Sequence, residues 1–375
     1  MDNLSKIADA GQSIWLDYID RHLIRSGELQ QLIERDGICG VTSNPAIFEK
    51  AIRTDKEYAS ALQQLGESSP EAAFEHLAIA DIRAAADVLY PVYERSRQRD
   101  GYVSLEVSPK LAHDSEATVA EARRLWREVE RENLMIKVPA TDAGIPAIQQ
   151  LIAEGVNVNA TLLFSRTMYQ RTAEAFICGL EQRMQHGSAL AGVAGVASFF
   201  VSRIDTAVDA LLGRRLEEAV SQGEREMLRG MLGKVAIANA KLAYQHYKTT
   251  FSTPRWQALA AHGALSQRLL WASTGTKNPA YSDTLYIEEL IGPDTVNTAP
   301  PATLEAFRQH GHIRASLEED AATAAIVMNR LATLRTLGTS LDEITGKLLD
   351  DGIRLFDEAY DKLLDVIATS ARSSR

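Results

Sequence analysis

Cysteine is scarce: Cys39 and Cys178 are the only two in 375 residues, so no disulfide framework carries this fold. Cys39 stands beside an apolar strand-like segment and Cys178 in a helical pattern, which fits two reduced, buried thiols. No uninterrupted apolar run approaches the roughly 18 residues of a transmembrane helix. The opening MDNLSKIADAGQSIW has no basic segment followed by an apolar one. A membrane partner and a targeting peptide are therefore not expected, and the protein is expected to be cytoplasmic. A basic surplus is missing too. Lys and Arg number 40 against 50 Asp and Glu, a net charge of -10, which argues against nucleic acid as a partner but leaves room for a local phosphate pocket.

Several motifs are also absent. No GxGxxG occurs, and GTKNP lacks the phosphate-loop pattern, which disfavours a dinucleotide or nucleotide site on a doubly wound sheet. Ser165 and Ser198 lack a nucleophile elbow. His310-Gly311-His312 has no carboxylate or thiol cluster at metal spacing, so no metal is expected. Trp126, Trp256 and Trp271 read as packing residues rather than ligand platforms.

What is present is a series of short β-rich segments separated by helical patterns. They fall at 13–18, 37–42, 102–107, 134–139, 156–161, 191–197, 268–272 and 294–298. Several are apolar on both faces, as parallel strands enclosed by helices should be. An α/β fold follows, a TIM (β/α)8 barrel over 1–375 as a single domain, with an open doubly wound sheet as the alternative. The spacing is uneven. Additional helices are expected after strand 2 (56–99), after strand 6 (203–265) and at the C-terminus, where 301–310, 316–335 and 341–371 are helical in pattern and TSLDEI supplies an N-cap for the last.

Polar groups at the C-terminal ends of barrel strands converge on one mouth. Lys137, in NLMIKVPAT, is flanked by apolar residues, an unusual setting for a surface lysine. Enclosure strips hydration from an ammonium and favours its neutral, nucleophilic form, as a Schiff-base lysine needs. The plain alternative is a strand-end lysine paired with Glu106 or Asp17. Asp17 (IWLDYI) and Glu106 (VSLEVSP) are each readable as an internal ion partner, but two inward acids beside an amine also suit separate proton transfers. In GVNVNATLLFS, Asn159 and Thr161 share strand parity and present an amide and a hydroxyl on one face. Thr42 and Asn44 do the same in VTSNPAIF, where Pro45 is placed to begin a helix. Ser104 lies two residues before Glu106. Ser198, Phe200 and Arg203 follow one another in ASFFVSRID, and Ser273 and Lys277 lie in STGTKNP; the two cations form a candidate phosphate clamp.

This ordered set, WLDY, GVTSNPAIF, VSLEVSP, LMIKVPAT, GVNVNATLLFS, ASFFVSRID and LWASTGTKNP, resembles the transaldolase family over roughly residues 12–280. The resemblance implies transfer of a dihydroxyacetone unit from sedoheptulose 7-phosphate to glyceraldehyde 3-phosphate, in the pentose phosphate pathway, with no cofactor. By the same resemblance Lys137 is the Schiff-base lysine, and Asp17 moves the proton of the donor hydroxyl. Glu106 and Thr161 position a catalytic water. Asn44, Asn159 and Ser198 orient substrate hydroxyls, Thr42 and Ser104 support the pocket, and Arg203 binds phosphate. One departure stands out: many relatives have arginine two residues after the serine matching Ser273, where this chain has Gly275 and then Lys277. Lysine keeps the charge without the planar fork. The oligomeric state, monomer or homodimer, is open at this stage. So is a sugar-phosphate aldolase that releases free dihydroxyacetone, or a noncatalytic sugar-phosphate-binding barrel.

Overall fold

The β-rich segments close on themselves. The computed structural model describes residues 3–66, 68–319, 321–333 and 340–373. Its strands are β1 (Gln12–Leu16), β2 (Ile38–Val41), β3 (Tyr102–Glu106), β4 (Leu134–Pro139), β5 (Val158–Leu163), β6 (Gly195–Phe200), β7 (Arg268–Ala272) and β8 (Thr295–Ala299). They pair in chain order, in parallel, and β8 returns to β1 to complete the barrel. Every residue of β4 and of β5 is buried, because alternate side chains face the barrel interior and the enclosing helices. The additional helices fall where expected. Pro45–Thr54, Lys56–Leu65 and Pro70–Arg95 follow β2, while Ser202–Glu218, Gln222–Arg229, Val235–Thr250 and Pro254–Ala260 follow β6.

Beyond β8 the chain forms Pro301–His310, the short Ser316–Glu319, then Ala321–Thr333 and the long Leu341–Ser373. Residues 320, 334 and 335 of the helix expected over 316–335 lie outside the described residues. Ser340 begins the last helix as expected: its hydroxyl accepts from Glu343 N at 3.2 Å and its own N–H donates to the Glu343 carboxylate at 2.7 Å, a reciprocal cap. No helix among the described residues is long and apolar enough to cross a membrane.

Three expectations need correction. β6 begins at Gly195, not at 191, since Gly192 sits at φ 85 in a turn and the Ala194 N–H is taken by the Asn157 side chain. β5 is displaced two residues toward the C-terminus and carries an irregularity, with Leu162 at φ 59. Cys39 and Cys178 are free, as read, but only half-buried.

The N-terminal end of the barrel is plugged by charge. The Arg268 guanidinium meets Asp100 at 2.9 Å and Ser13 Oγ at 2.7 Å, and Ser13 Oγ and Trp15 Nε1 both donate to the same carboxylate. Trp15 then fills the interior below the mouth; a Cβ on Gly40 would come within 2.3 Å of its ring, so only glycine fits there. Because Arg268 is 4% exposed, removing its partner strands a buried cation. Asp100→Ala is expected to lower unfolding stability by about 3–5 kcal/mol, measured by chemical denaturation.

Candidate active site

At the opposite end, strand parity brings the polar residues together. Glu106 on β3 pairs in register with Lys137 on β4, and Lys137 with Asn159 on β5. Lys137 is 5% exposed. Its Nζ donates to the Ser43 carbonyl at 3.2 Å and makes a long contact to Glu106 Oε2 at 3.5 Å. The Ser43 carbonyl is held in place because the Ser43 hydroxyl donates to the Ser104 carbonyl at 2.7 Å. The pairing of Lys137 with Glu106 weighed as a purely structural reading is thus present, but at a distance too long for a strong ion pair.

The two acids are held differently. Burial pushes the Glu106 carboxyl up to about 7, with the Lys137 charge opposing. Its second oxygen, Oε1, has no hydrogen-bond partner, and neither has the buried hydroxyl of Thr161, two residues beyond Asn159 on β5. Two unpaired buried acceptors at one mouth are costly unless a ligand or water joins them. Asp17, just past β1, is likewise raised by burial, while Lys137, a hydrogen bond from Thr42 and the charge of Lys277 draw it back. Thr42 Oγ1 donates to Asp17 Oδ1 at 2.7 Å and is itself 2.7 Å from Thr298 Oγ1. That chain of hydroxyls fixes which carboxylate oxygen is left open.

A second chain crosses the strands beside the amine. Ser198 Oγ donates to Asn159 Oδ1 at 2.6 Å, and Asn159 Nδ2 donates to Ser104 Oγ at 3.0 Å. The two hydroxyls hold the amide between them, so its position is set before any ligand arrives. Asn44 Oδ1 caps the helix that Pro45 opens, accepting from Ile47 N at 3.1 Å. The same residue lines a cleft with Ser43, Glu106, Phe74 and Tyr360.

The candidate phosphate residues lie on the rim. Arg203, half-buried and with no carboxylate partner among the described residues, stacks over the Phe200 ring at 5.4 Å to the centroid; burial lowers its pKa. Ser273 takes a left-handed backbone, φ 56, and its hydroxyl is 2.9 Å from Ser202 Oγ, which joins the β7 loop to the start of the helix carrying Arg203. Lys277 is exposed and lines a separate hollow with Asp205, Asp209, Tyr281 and Tyr286. It reaches the mouth through its charge rather than by contact.

A buried strand-end amine with two raised carboxyls and a preset amide is the arrangement for carbonyl chemistry, and comparison with known proteins agrees. The family model for Transaldolase/Fructose-6-phosphate aldolase matches residues 14–367. The chain belongs to this family. A protein named Transaldolase 2 from Nostoc punctiforme is 49% identical over 371 residues, covering 97% of this chain and 96% of its own. Transaldolase from Neisseria gonorrhoeae is 47% identical over 366 residues, with 97% and 99% covered, and Transaldolase 1 from Streptomyces avermitilis 46% over 376 residues, with 99% and 96% covered. This member of the transaldolase family is an enzyme of carbohydrate metabolism.

Sequence reasoning missed three contributors. The Ser43 carbonyl is backbone, which no residue type announces. Thr298 lies on β8 in a segment recognised as strand, and its parity with Thr42 across the closure was the available signal. Phe356, in the C-terminal helix, places its ring centroid 5.5 Å from Lys137 Nζ; its helical spacing reads as ordinary core.

The raised Glu106 carboxyl has a signed consequence for stability. An acid whose folded pKa lies above its unfolded value of 4.5, here about 7, contributes fully below the unfolded value and loses that contribution as pH climbs through the folded one. Glu106→Gln removes the titration. The variant should therefore gain on the parent between about pH 5 and about pH 8, on the order of a few kcal/mol, read as a difference in melting temperature at the two pH values.

Proposed function

We propose that the chain transfers a dihydroxyacetone unit from sedoheptulose 7-phosphate to glyceraldehyde 3-phosphate, giving erythrose 4-phosphate and fructose 6-phosphate, through an imine on Lys137. The observation that carries this reading is the Lys137 amine itself, 5% exposed at the end of β4, within reach of the Ser43 carbonyl and a carboxyl pushed up to about 7. Neutral Lys137 attacks the donor ketone, forming a carbinolamine. Loss of water gives a protonated imine, an electron sink for the carbon-carbon bond. Asp17 takes the proton of the donor hydroxyl as that bond breaks, and the aldose phosphate departs. The three-carbon enamine then attacks the incoming aldehyde while Asp17 returns the proton, and hydrolysis frees the new ketose.

Glu106 Oε1 and Thr161 Oγ1, the unpaired acceptors of the mouth, suit a water that enters and leaves in the carbinolamine steps. Asn159, fixed by Ser104 and Ser198, and Asn44 orient the hydroxyls of the ketose fragment. Thr42 sets Asp17. Arg203, with no acidic partner among the described residues, holds the phosphate with Lys277 as an outer point charge, and Phe200 lies under the Arg203 guanidinium on the substrate side. The substrates are small sugar phosphates.

Incubation with fructose 6-phosphate and erythrose 4-phosphate should yield sedoheptulose 7-phosphate; accumulation of free dihydroxyacetone in its place would mark an aldolase, and neither product a binding protein. Lys137→Ala should lower transfer by at least about a thousandfold and abolish the borohydride-trapped adduct. A trapped peptide without Lys137 would overturn the assignment. Asp17→Asn should slow carbon-carbon cleavage by about a hundredfold or more while adduct formation in a single turnover changes by less than about tenfold. Equal losses in the two steps would contradict the role given to Asp17.

A further inference from the structure

The helix Leu341–Ser373 packs against the barrel at the end where Lys137 opens. Its buried positions Thr345, Gly352, Phe356, Leu363 and Ile367 fall on one face. Gly352 lets it approach β5 closely, since a Cβ there would meet Leu162 Cδ2 at 3.0 Å. Two further contacts fasten it: Tyr360 packs edge-on against Phe74 at 5.8 Å, and Asp361 pairs with Lys110 at 2.8 Å. The helix is held from both sides of Phe356. What it delivers to the amine is a ring with no hydrogen-bonding group, 6% exposed and 5.5 Å from Lys137 Nζ.

We propose that Phe356 is a specificity-determining residue: by denying unpositioned water a place beside the three-carbon adduct on Lys137, it commits that adduct to transfer instead of release as free dihydroxyacetone. This rests on the covalent reading above and adds a residue from outside the barrel to it. The neutral enamine has two fates. In transfer, its nucleophilic carbon bonds to the acceptor aldehyde carbon, the aldehyde oxygen takes a proton, and one water hydrolyses the resulting iminium to free the new ketose. In release, the same carbon takes a proton from water, the hydroxide left behind adds to the iminium carbon, the proton of that new hydroxyl passes to nitrogen, and the carbon-nitrogen bond breaks with its electron pair returning to Lys137. The sum of the second path is enamine plus one water giving amine plus dihydroxyacetone. Both paths end in hydrolysis by the water that Glu106 and Thr161 suit; release differs in needing a further, unpositioned water to protonate the carbon, and that is the molecule an apolar ring beside the adduct displaces. The Ser43 carbonyl and Glu106 occupy other approaches to the same nitrogen, and among the described residues Phe356 is the aromatic side chain whose ring lies over it.

The test compares the full chain with Phe356→Ala, Phe356→Val and Phe356→Leu, and with Leu355→Ala as a control on the exposed side of the same helix, 42% exposed. The readout is the ratio of free dihydroxyacetone to sedoheptulose 7-phosphate formed from fructose 6-phosphate and erythrose 4-phosphate, with circular dichroism melts run in parallel. Phe356→Ala should raise the ratio by about tenfold or more and Phe356→Val by a smaller factor, while Phe356→Leu, which restores apolar volume, and Leu355→Ala stay within about twofold of the parent. Phe356→Val keeps the comparison decisive if Ala costs the fold. An unchanged ratio in folded Ala or Val variants overturns the proposal, as does a rise with Leu equal to that with Ala. If the parent forms no borohydride adduct at Lys137, the covalent reading falls and takes this proposal with it; a parent that transfers normally beside unchanged variants overturns the role of Phe356 alone.

Discussion

A charged or chargeable amine kept almost dry at the end of β4 is the constraint around which this mouth is organised. Burying an ammonium is expensive, and a single carboxylate at 3.5 Å does not make a strong pair to offset it. The Ser43 carbonyl supplies the nearer contact, and it does so only because the Ser43 hydroxyl anchors that turn to β3. The carboxyl opposite is left raised by the same burial. Of the two, the carboxyl is the group that burial disfavours as an ion.

Polar chains at the two ends of the barrel have opposite characters. At the N-terminal end Asp100, Arg268, Ser13 and Trp15 satisfy one another, which makes a closed, structural plug. At the other end the chains through Thr42 and through Asn159 fix side-chain orientation yet leave Glu106 Oε1 and Thr161 Oγ1 without partners. A satisfied network holds a fold together; an incomplete one leaves valences for a ligand. The left-handed backbone at Leu162 and Ser273 lies on this open side, where strained conformations are held by the surrounding scaffold.

Much of this was legible in the chain. Eight β-rich segments separated by helical patterns called for a parallel barrel, and the polar residues interrupting them, Lys137, Glu106, Asn159 and Asp17, pointed to the mouth, because apolar strands tolerate such groups only where they meet one another or water. Strand ends were less legible: β6 was displaced because AGVAGVA has no periodic feature separating its turn from its strand. The thiols of Cys39 and Cys178 were placed deeper than they lie, since an apolar neighbourhood in sequence does not measure depth.

The sequence by itself determined the polar residue types gathered at the mouth and the period-two parity that turns them inward, since both are properties of short stretches of chain. Only the tertiary structure decided which groups meet across long separations. The Ser43 carbonyl at the Lys137 amine, Thr298 against Thr42 across the barrel closure, and Phe356 delivered from a helix more than two hundred residues downstream each depend on how the barrel shuts and where its last helix comes to rest. Those contacts arise from the relative placement of distant elements, and no local pattern of residues encodes that placement.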